Sequence, residues 1–339
     1  MPPPTEYQRL IFDSPYTFRK EIAMYQEIMP GYNQLEREAG LGDKETFDVL
    51  PKFYGSRLTL DPNVDFDDDA VILLDNLKAK GYYTGQRDVG YNVEHSNLAI
   101  RAMAKFHALG IATKFKKPEI FEKYKKLSKS LEPKGSDLSN FYAMLLKKIR
   151  EDSEIKVFYD RCEEVLTPEF TLEAWTKAPD EPWGTIIHSD FWVNNILFHC
   201  GEDGKVDDVK FVDFQNYLYL SPMRELFFYL FSSIDDDTHA NHLDDLINLY
   251  YETFIDELKR MDCNTECFTR EKFDAQMPQD ARLEFQHLCF MLKVLTLDTK
   301  ESNFDYDKME SVVIEYAGNK LYNDRLRRLV LYFTKRNWI

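Results

Sequence analysis

A carboxylate, an amide and a second carboxylate follow one another at Asp190, Asn195 and Asp213, within residues 185–217. Carboxylate and amide oxygens are the ligands that Mg²⁺ prefers in proteins. Phosphoryl transfer needs a carboxylate that orients a hydroxyl nucleophile, together with oxygen ligands for a metal that neutralises the triphosphate. We therefore interpret Asp190 as a candidate base and Asn195 and Asp213 as candidate metal ligands.

A β-hairpin is expected to position these side chains. Apolar runs follow Asn195 and precede Asp213, on either side of a turn that ends at Gly204. Because 204 is the midpoint of 195 and 213, symmetric pairing would place Asn195 opposite Asp213 at the mouth of the hairpin. Asp190 would lie in the preceding loop, within reach of a substrate hydroxyl. The alternative is a structural hairpin with polar ends, but the whole pattern favours a functional site.

The surrounding elements are predicted from apolar periodicity. A helix is expected over 18–29, ending before Pro30, followed by two short strands at 49–54 and 70–74 and a linker at 75–81. Further helices are predicted over 94–109, 141–165, 222–232, 242–261, 282–297 and 308–333. The helix at 222 should begin with a side-chain cap from Ser221. These elements predict a small N-terminal part with some sheet, a linker and a large helical lobe.

The central segment resembles the His-Gly-Asp-x4-Asn loop and the later metal-binding Asp of aminoglycoside phosphotransferase-like and choline kinase-like enzymes. Within that superfamily it is similar to the ecdysteroid kinase-like (CHK kinase-like) family through Trp-Val-Asn-Asn-Ile-Leu-Phe at 192–198 and Lys-Phe-Val-Asp-Phe-Gln at 210–215. Further matches occur in order at 18–25, 74–77 and 103–108. The ordered set covers nearly the whole chain and is more specific than any one motif.

The resemblance implies a protein kinase-like bilobal fold of the α+β class, which uses ATP and Mg²⁺. The N-lobe is expected to be incomplete and to cover 1–77, with a helical C-lobe over 78–339. The implied activity is phosphorylation of a hydroxyl on a small lipophilic molecule, such as an ecdysteroid-like compound or a xenobiotic.

The resemblance also implies roles for individual residues of the catalytic loop and hairpin. Asp190 would be the catalytic base, and His188 a structural or polarising member of the same loop. Asn195 and Asp213 would bind magnesium. His107, on a predicted helix, is expected to support the core beneath the loop.

Nucleotide binding is implied for two further segments. Glu21 would be the helix glutamate that pairs with an ATP-contacting lysine. The segment 74–77 would be the hinge, where Leu74, Asp75 and Leu77 offer backbone groups to adenine.

The sequence departs from the family pattern in several places. Ser189 stands where glycine is commoner, which is a mild change if its backbone has an ordinary φ; Asp75-Asn76 and Glu225 are other polar exchanges. No glycine precedes Gly31, and Lys20 is the only lysine before residue 40, so neither a glycine-rich phosphate loop nor the ATP-binding lysine can be placed. The expectation is a sequence shortened at its N-terminus, and the alternative function is a catalytically impaired pseudokinase that binds a ligand or partner.

Composition limits the partners. The net charge is −16, from 59 acidic and 43 basic residues, which disfavours nucleic acid and anionic membranes. Five cysteines at irregular spacing indicate reduced thiols, and the N-terminus lacks a secretory signal, so we expect a cytoplasmic protein. We also expect a monomer whose partner is a small-molecule hydroxyl acceptor. A third possibility is a metal-dependent hydrolase built on His188, Asp190 and Asp213. Too few histidines and carboxylates lie near these residues in the sequence to support it.

Overall fold

The N-terminal part of the fold combines helices with a small sheet. The computed structural model describes residues 2–3, 5–11, 13–130, 138–297 and 309–339. The first elements are α1 (Glu6–Ile11), α2 (Ser14–Ala23), α3 (Met29–Glu38), β1 (Phe53–Arg57) and β2 (Val71–Leu74), with a π-helical turn at Met24–Ile28 between α2 and α3.

The helical path does not end before Pro30, so that prediction is wrong. The chain passes through the π turn, where the Met29 N–H donates to the Met24 carbonyl, and continues as α3. Pro30 lies in the first turn of α3, the part of a helix where proline is best tolerated. The proline therefore stands at the junction of the π turn and α3 and does not stop the helical path.

The two predicted N-terminal strands form an antiparallel pair in which Phe53 lies opposite Leu74. The first strand begins later than predicted, because the chain at Val49 packs against a later hairpin: the Val49 carbonyl accepts a bond from the Phe211 N–H at 2.7 Å. The predicted linker after β2 contains a short 3₁₀ turn at Leu77–Lys80.

The rest of the chain is mostly helical. Its helices are α4 (Val93–Lys116), α5 (Pro118–Leu127), α6 (Ser139–Glu151), α7 (Tyr159–Val165), α8 (Pro168–Thr176), α9 (Pro222–Ser232), α10 (Asp236–Arg260), α11 (Arg270–Thr296), α12 (Met309–Glu315) and α13 (Lys320–Lys335). In the core, α10 packs along α4 and α11 packs along α9.

Three details of the predicted helices are wrong. The region 141–165 is divided by a 3₁₀ turn at Lys156–Phe158, and the region 308–333 is divided near Gly318, whose φ of +81° ends a helical path. The Ser221 side chain does not cap α9. Its hydroxyl instead donates to Asp280 Oδ2 on α11 at 2.5 Å, which joins the start of α9 to its neighbour.

Four strands position the candidate site: β3 (Thr185–Ile187), β4 (Ile196–Cys200), β5 (Val206–Phe211) and β6 (Leu218–Leu220). The predicted hairpin is β4–β5, with Gly204 in its turn at a φ of +76°. The antiparallel pair β3–β6 was not predicted, since each strand has only three residues.

The predicted register of the hairpin is wrong by one residue. Ile196 pairs with Phe211, and the Asn195 carbonyl accepts from the Val212 N–H, so Asp213 lies one position beyond the residue opposite Asn195. The turn is centred one residue before Gly204, because Cys200 pairs with Val206, and an extra residue of β5 between the partners of His199 and Cys200 makes the two arms of the hairpin unequal. Symmetry about Gly204 therefore does not hold.

The predicted α+β class and the large helical part are confirmed. All five cysteines are free thiols, as predicted. Among the described helices, none is both long enough and apolar enough to cross a membrane.

Candidate active site

A buried carboxylate holds the loop after β3 in place. Glu225, on α9, accepts bonds at Oε2 from the backbone N–H groups of His188 (2.6 Å) and Ser189 (3.4 Å). Nε2 of His107 lies 3.3 Å from the same oxygen, and Nδ1 of His107 lies 2.9 Å from the Tyr250 hydroxyl. His107 therefore supports the loop from the core, as the sequence predicted.

Ser189 has a left-handed backbone with a φ of +67°, so the condition under which the exchange of glycine for serine would be mild is not met. The strain follows from the contacts on either side. The N–H groups of His188 and Ser189 both point towards Oε2 of Glu225. Successive N–H groups can converge on one anion when a residue between them adopts a left-handed conformation.

His188 ties the loop to the end of β5. Its Nε2 lies 2.8 Å from the Val212 carbonyl, and its Nδ1 accepts a 3.3 Å bond from the Asp190 N–H. The ring packs on Phe214, with centroids 4.3 Å apart. Because backbone groups engage both ring nitrogens, His188 acts as a positioning residue in this geometry.

Asp190 and Asn195 are joined directly. The Asn195 amide nitrogen donates to the Asp190 carbonyl and to Asp190 Oδ2, each at 2.9 Å. The side chain of Asn195 is buried, so this orientation is fixed by its surroundings. The amide oxygen, Oδ1, is the atom left to bind another group.

Asp213 lies two residues beyond the end of β5 and has a left-handed φ of +66°. Burial and, after it, the negative charge of Asp190 raise the pKa of its carboxyl to about 6, while His188 opposes the rise. Burial likewise raises the pKa of Asp190. The two carboxylates are therefore close enough to repel each other, and a cation between them would relieve that repulsion.

A third carboxylate approaches from α2, which packs against the turn at Phe214–Asn216. Burial raises the pKa of Glu21 to about 8, and the charge of Asp213 adds to that rise. The neighbouring Lys20 turns elsewhere: its Nζ donates to the Lys129 carbonyl at 3.1 Å and lies 4.8 Å from the centre of the Tyr217 ring. Burial lowers the pKa of Lys20 to about 7.

The predicted hinge reaches this site through aromatic packing. Leu74 pairs with Phe53, whose ring stacks on Tyr25, one helical turn after Glu21, with centroids 5.6 Å apart. The neighbouring Asp75 side chain is engaged by Tyr54 and Lys80, at 2.7 and 2.5 Å. Leu77 is buried. The contact of Leu74, Asp75 and Leu77 with adenine stays a prediction.

The donor set fits a hard divalent cation. The Asn195 amide oxygen and the Asp213 carboxylate are oxygen ligands of the kind that suit Mg²⁺. Both nitrogens of His188 are occupied by backbone groups, which leaves none for the zinc site of a hydrolase. In the part of the chain that the structure describes, no three His, Cys, Asp or Glu side chains are arranged as a metal cluster.

A second group beside the loop was missed by sequence reasoning. Trp175 on α8, Phe228 on α9 and His287 on α11 line a cleft together with Ser189. These residues are far apart in the sequence and share no motif, so no local signal could have identified them.

Comparison with known proteins gives a family match and likenesses among solved structures. The model of the ecdysteroid kinase-like family matches residues 1–263. No curated protein matches the chain. Among solved structures, the ethanolamine kinase of Plasmodium vivax is similar over 89% of this chain and 73% of that one, at 12% identity and a TM-score of 0.34. The matched family segment contains all of the site residues proposed from the sequence.

Proposed function

The chain belongs to the ecdysteroid kinase-like family, and from this premise we propose that it transfers a phosphoryl group from ATP, with Mg²⁺, to a hydroxyl of a small lipophilic molecule. An ecdysteroid-like compound or a xenobiotic alcohol is the proposed acceptor. The observation that carries the proposal is the bonded pair Asp190–Asn195 beside the carboxylate of Asp213. This is the combination of proton acceptor and metal ligands that the reaction requires.

Each side chain has one role in the proposal. Asn195 fixes Asp190 Oδ2, so that Asp190 can orient the acceptor hydroxyl and take its proton. The hydroxyl oxygen forms a bond to the γ-phosphorus as the bond to the bridging oxygen breaks and ADP leaves. Magnesium, when bound by Asn195 Oδ1 and Asp213, would supply the positive charge that shields the phosphates. Glu225 and His188 keep the loop in place.

The charge of the site restricts the acceptor. The charge of Asp213 raises the pKa of Glu21, the charge of Asp190 raises the pKa of Asp213, and the chain carries a net charge of −16. An acceptor with its own phosphate or carboxylate would be repelled. A neutral alcohol fits these surroundings better.

The test is phosphoryl transfer from radiolabelled ATP to ecdysone, comparing the natural chain with Asp190→Asn. Loss of a general base should lower turnover by about 10²–10⁴-fold. Asp207→Asn, a change in the partly exposed carboxylate that contacts His199 on the same hairpin, is the matched control and should leave turnover unchanged. Equal turnover in Asp190→Asn would refute the role of Asp190.

A pseudokinase is the second candidate, and one observation favours it. Within the described residues, no lysine or arginine forms an ion pair with Glu21, and Lys20 is bonded to a backbone carbonyl instead. A chain that binds nucleotide or alcohol without any transfer would fit this second function. The same transfer assay separates the two, because only the kinase yields a labelled product.

A further inference from the structure

The cleft beside the catalytic loop lies between that loop and the helices α8, α9 and α11. Ser189 lines the cleft, and the apolar and aromatic part of the lining is formed by Trp175, Ile187, Leu220, Phe228 and His287. Its inner part measures about 10 Å³, room for about one water-sized group. A ligand could therefore place only a hydroxyl inside, and its body would rest against the residues at the mouth.

Aromatic side chains form that mouth. The His287 ring lies parallel to Phe228, with centroids 4.7 Å apart and an interplanar angle of 3°. Trp175 meets His287 edge to face, with centroids 5.1 Å apart. Trp175 and His287 are only partly buried, so a ligand can reach them from solvent. Flat apolar surfaces of this kind suit an apolar ligand body.

Three side chains of the cleft, those of Arg224, Glu284 and His287, are paired with one another. Glu284 contacts His287 Nδ1 at 2.5 Å through Oε1 and Arg224 Nε at 2.8 Å through Oε2. The Arg224 guanidinium also lies 5.1 Å from the centre of the Trp175 ring. A cationic ligand placed on Trp175 would meet a guanidinium already packed on that ring, so this face of the cleft disfavours a cation.

One buried acceptor atom of a residue that lines the cleft lacks a hydrogen-bond partner. Oε2 of Glu225 holds the catalytic loop, but Oε1 has no hydrogen-bond partner among the described residues, although the side chain is only 1% exposed. A buried unpaired carboxylate oxygen is strongly unfavourable, and a hydroxyl donor would satisfy it. The cleft therefore suits a ligand that carries hydroxyl groups.

The cleft also adjoins the reacting carboxylate. Ser189 lines it, and Asp190 is the next residue. A hydroxyl at this end of the cleft would lie beside the proposed base.

We propose that this cleft is the acceptor site, and that Trp175 and His287 select an uncharged alcohol over a cationic amino alcohol. The inference rests on the proposed phosphotransferase function and adds to it the residues that determine specificity. Trp175 and His287, whose ring stacks on the buried Phe228, contact the body of the acceptor, and its hydroxyl edge enters between Ser189 and Glu225. His287 lies outside residues 1–263, the segment that the family model matches.

The test measures binding to the full chain by titration calorimetry, with ecdysone and benzyl alcohol as uncharged probes and choline as the cationic probe. An uncharged alcohol should bind and choline should not. Trp175→Ala and His287→Asn should each weaken that binding about tenfold, which corresponds to one lost aromatic contact. In His287→Asn the amide nitrogen can still donate to Glu284, so only the ring is removed.

Two variants serve as controls. His242→Asn changes a histidine that also pairs with an acid on its own helix, Asp245 at 3.6 Å, and should leave binding unchanged. Trp175→Phe keeps an aromatic wall and should retain most of the affinity even if Trp175→Ala fails to fold. In transfer assays, His287→Asn should raise KM for the alcohol with little change in kcat.

Three results would overturn the proposal: choline binding more tightly than both alcohols, no binding of any probe, or equal effects of His287→Asn and His242→Asn. Failure of the proposed function looks different. A chain that binds an alcohol through Trp175 and His287 but transfers no phosphoryl group would refute the phosphotransferase and leave the cleft assignment standing.

Discussion

Two residues at the centre of the site have left-handed backbones: Ser189, with a φ of +67°, and Asp213, with a φ of +66°. Such conformations are unfavourable for residues other than glycine and persist where surrounding contacts determine them. At Ser189 the determining contact is Glu225, which receives two consecutive N–H groups. The loop is therefore held by the core against its own local preference.

Ser189→Gly tests this strain directly. Glycine adopts a positive φ without a steric penalty, so the free energy of unfolding should rise by up to about 1 kcal/mol, while Ser189→Val should lower it by about 1–3 kcal/mol. Urea unfolding followed by circular dichroism measures both. Ser221→Gly is the control: Ser221 has an ordinary φ of −67°, and losing its bond to Asp280 should lower stability. A stability loss in Ser189→Gly would contradict the strain argument.

At this scale, the residue types were readable from the sequence and their exact positions were not. The spacing of Asp190 and Asn195 is short enough for a loop to bring them together, and the structure joins them at 2.9 Å. The pairing of Asn195 with Val212 depends on an irregular strand at Cys200, which the apolar pattern does not reveal. The φ of Ser189 depends on Glu225, which is distant in the sequence.

At the scale of elements, α9 organises the site. It is buried along nearly its whole length, including the charged residues Arg224 and Glu225. Buried charges are tolerated when they are paired, and here each contacts a neighbouring element: Glu225 holds the loop after β3, and Arg224 pairs with Glu284 on α11. One helix thus supports both the loop and the proposed acceptor cleft.

Burial of the Asp280 carboxyl, which joins α11 to α9 through Ser221, should make stability depend on pH. Burial raises the pKa of Asp280 to about 6, although the bond from Ser221 opposes the rise. A carboxyl with a raised folded-state pKa stabilises the fold below its unfolded pKa of 3.8, and this contribution is lost as pH rises towards about 6.

Asp280→Asn should remove that dependence. From pH 4 to pH 7, the natural chain should lose about 2–3 kcal/mol of stability relative to the variant, following from a shift of roughly two pKa units. Chemical unfolding of both proteins at several pH values measures the difference. Asp274→Asn, on the same helix with its side chain partly in solvent, is the control. A difference that stays constant with pH would contradict the assignment.

Long periodic helices were the most predictable elements, and breaks within them were the least. The helix at 222–232 has the predicted bounds, because a proline at its start and an apolar run mark it clearly. Pro30 misled the prediction, since a proline can begin a helix as well as end one. The pair β3–β6 was missed because three-residue strands carry too little pattern.

On the scale of the whole molecule, carboxylates from three places lie towards one region. They come from α2, from the end of the hairpin β4–β5 and from the loop after β3. The charge of Asp213 raises the pKa of Glu21, and the charge of Asp190 raises the pKa of Asp213. Burial raises the pKa of all three carboxyls. The sequence predicted the helical lobe and the family. It could not predict the cleft of Trp175 and His287, because only tertiary packing brings α8 and α11 to the loop.

The most direct test of the central claim is thermal unfolding of the full chain with ATP, in the presence and absence of Mg²⁺. If Asn195 and Asp213 bind a nucleotide-bound cation, Mg-ATP at a hundredfold excess over its Kd should raise the free energy of unfolding by about 2.7 kcal/mol. ATP without Mg²⁺ should stabilise far less, and Asp213→Asn should abolish the effect of Mg-ATP. No shift in the natural chain, or an equal shift in Asp213→Asn, would contradict the account.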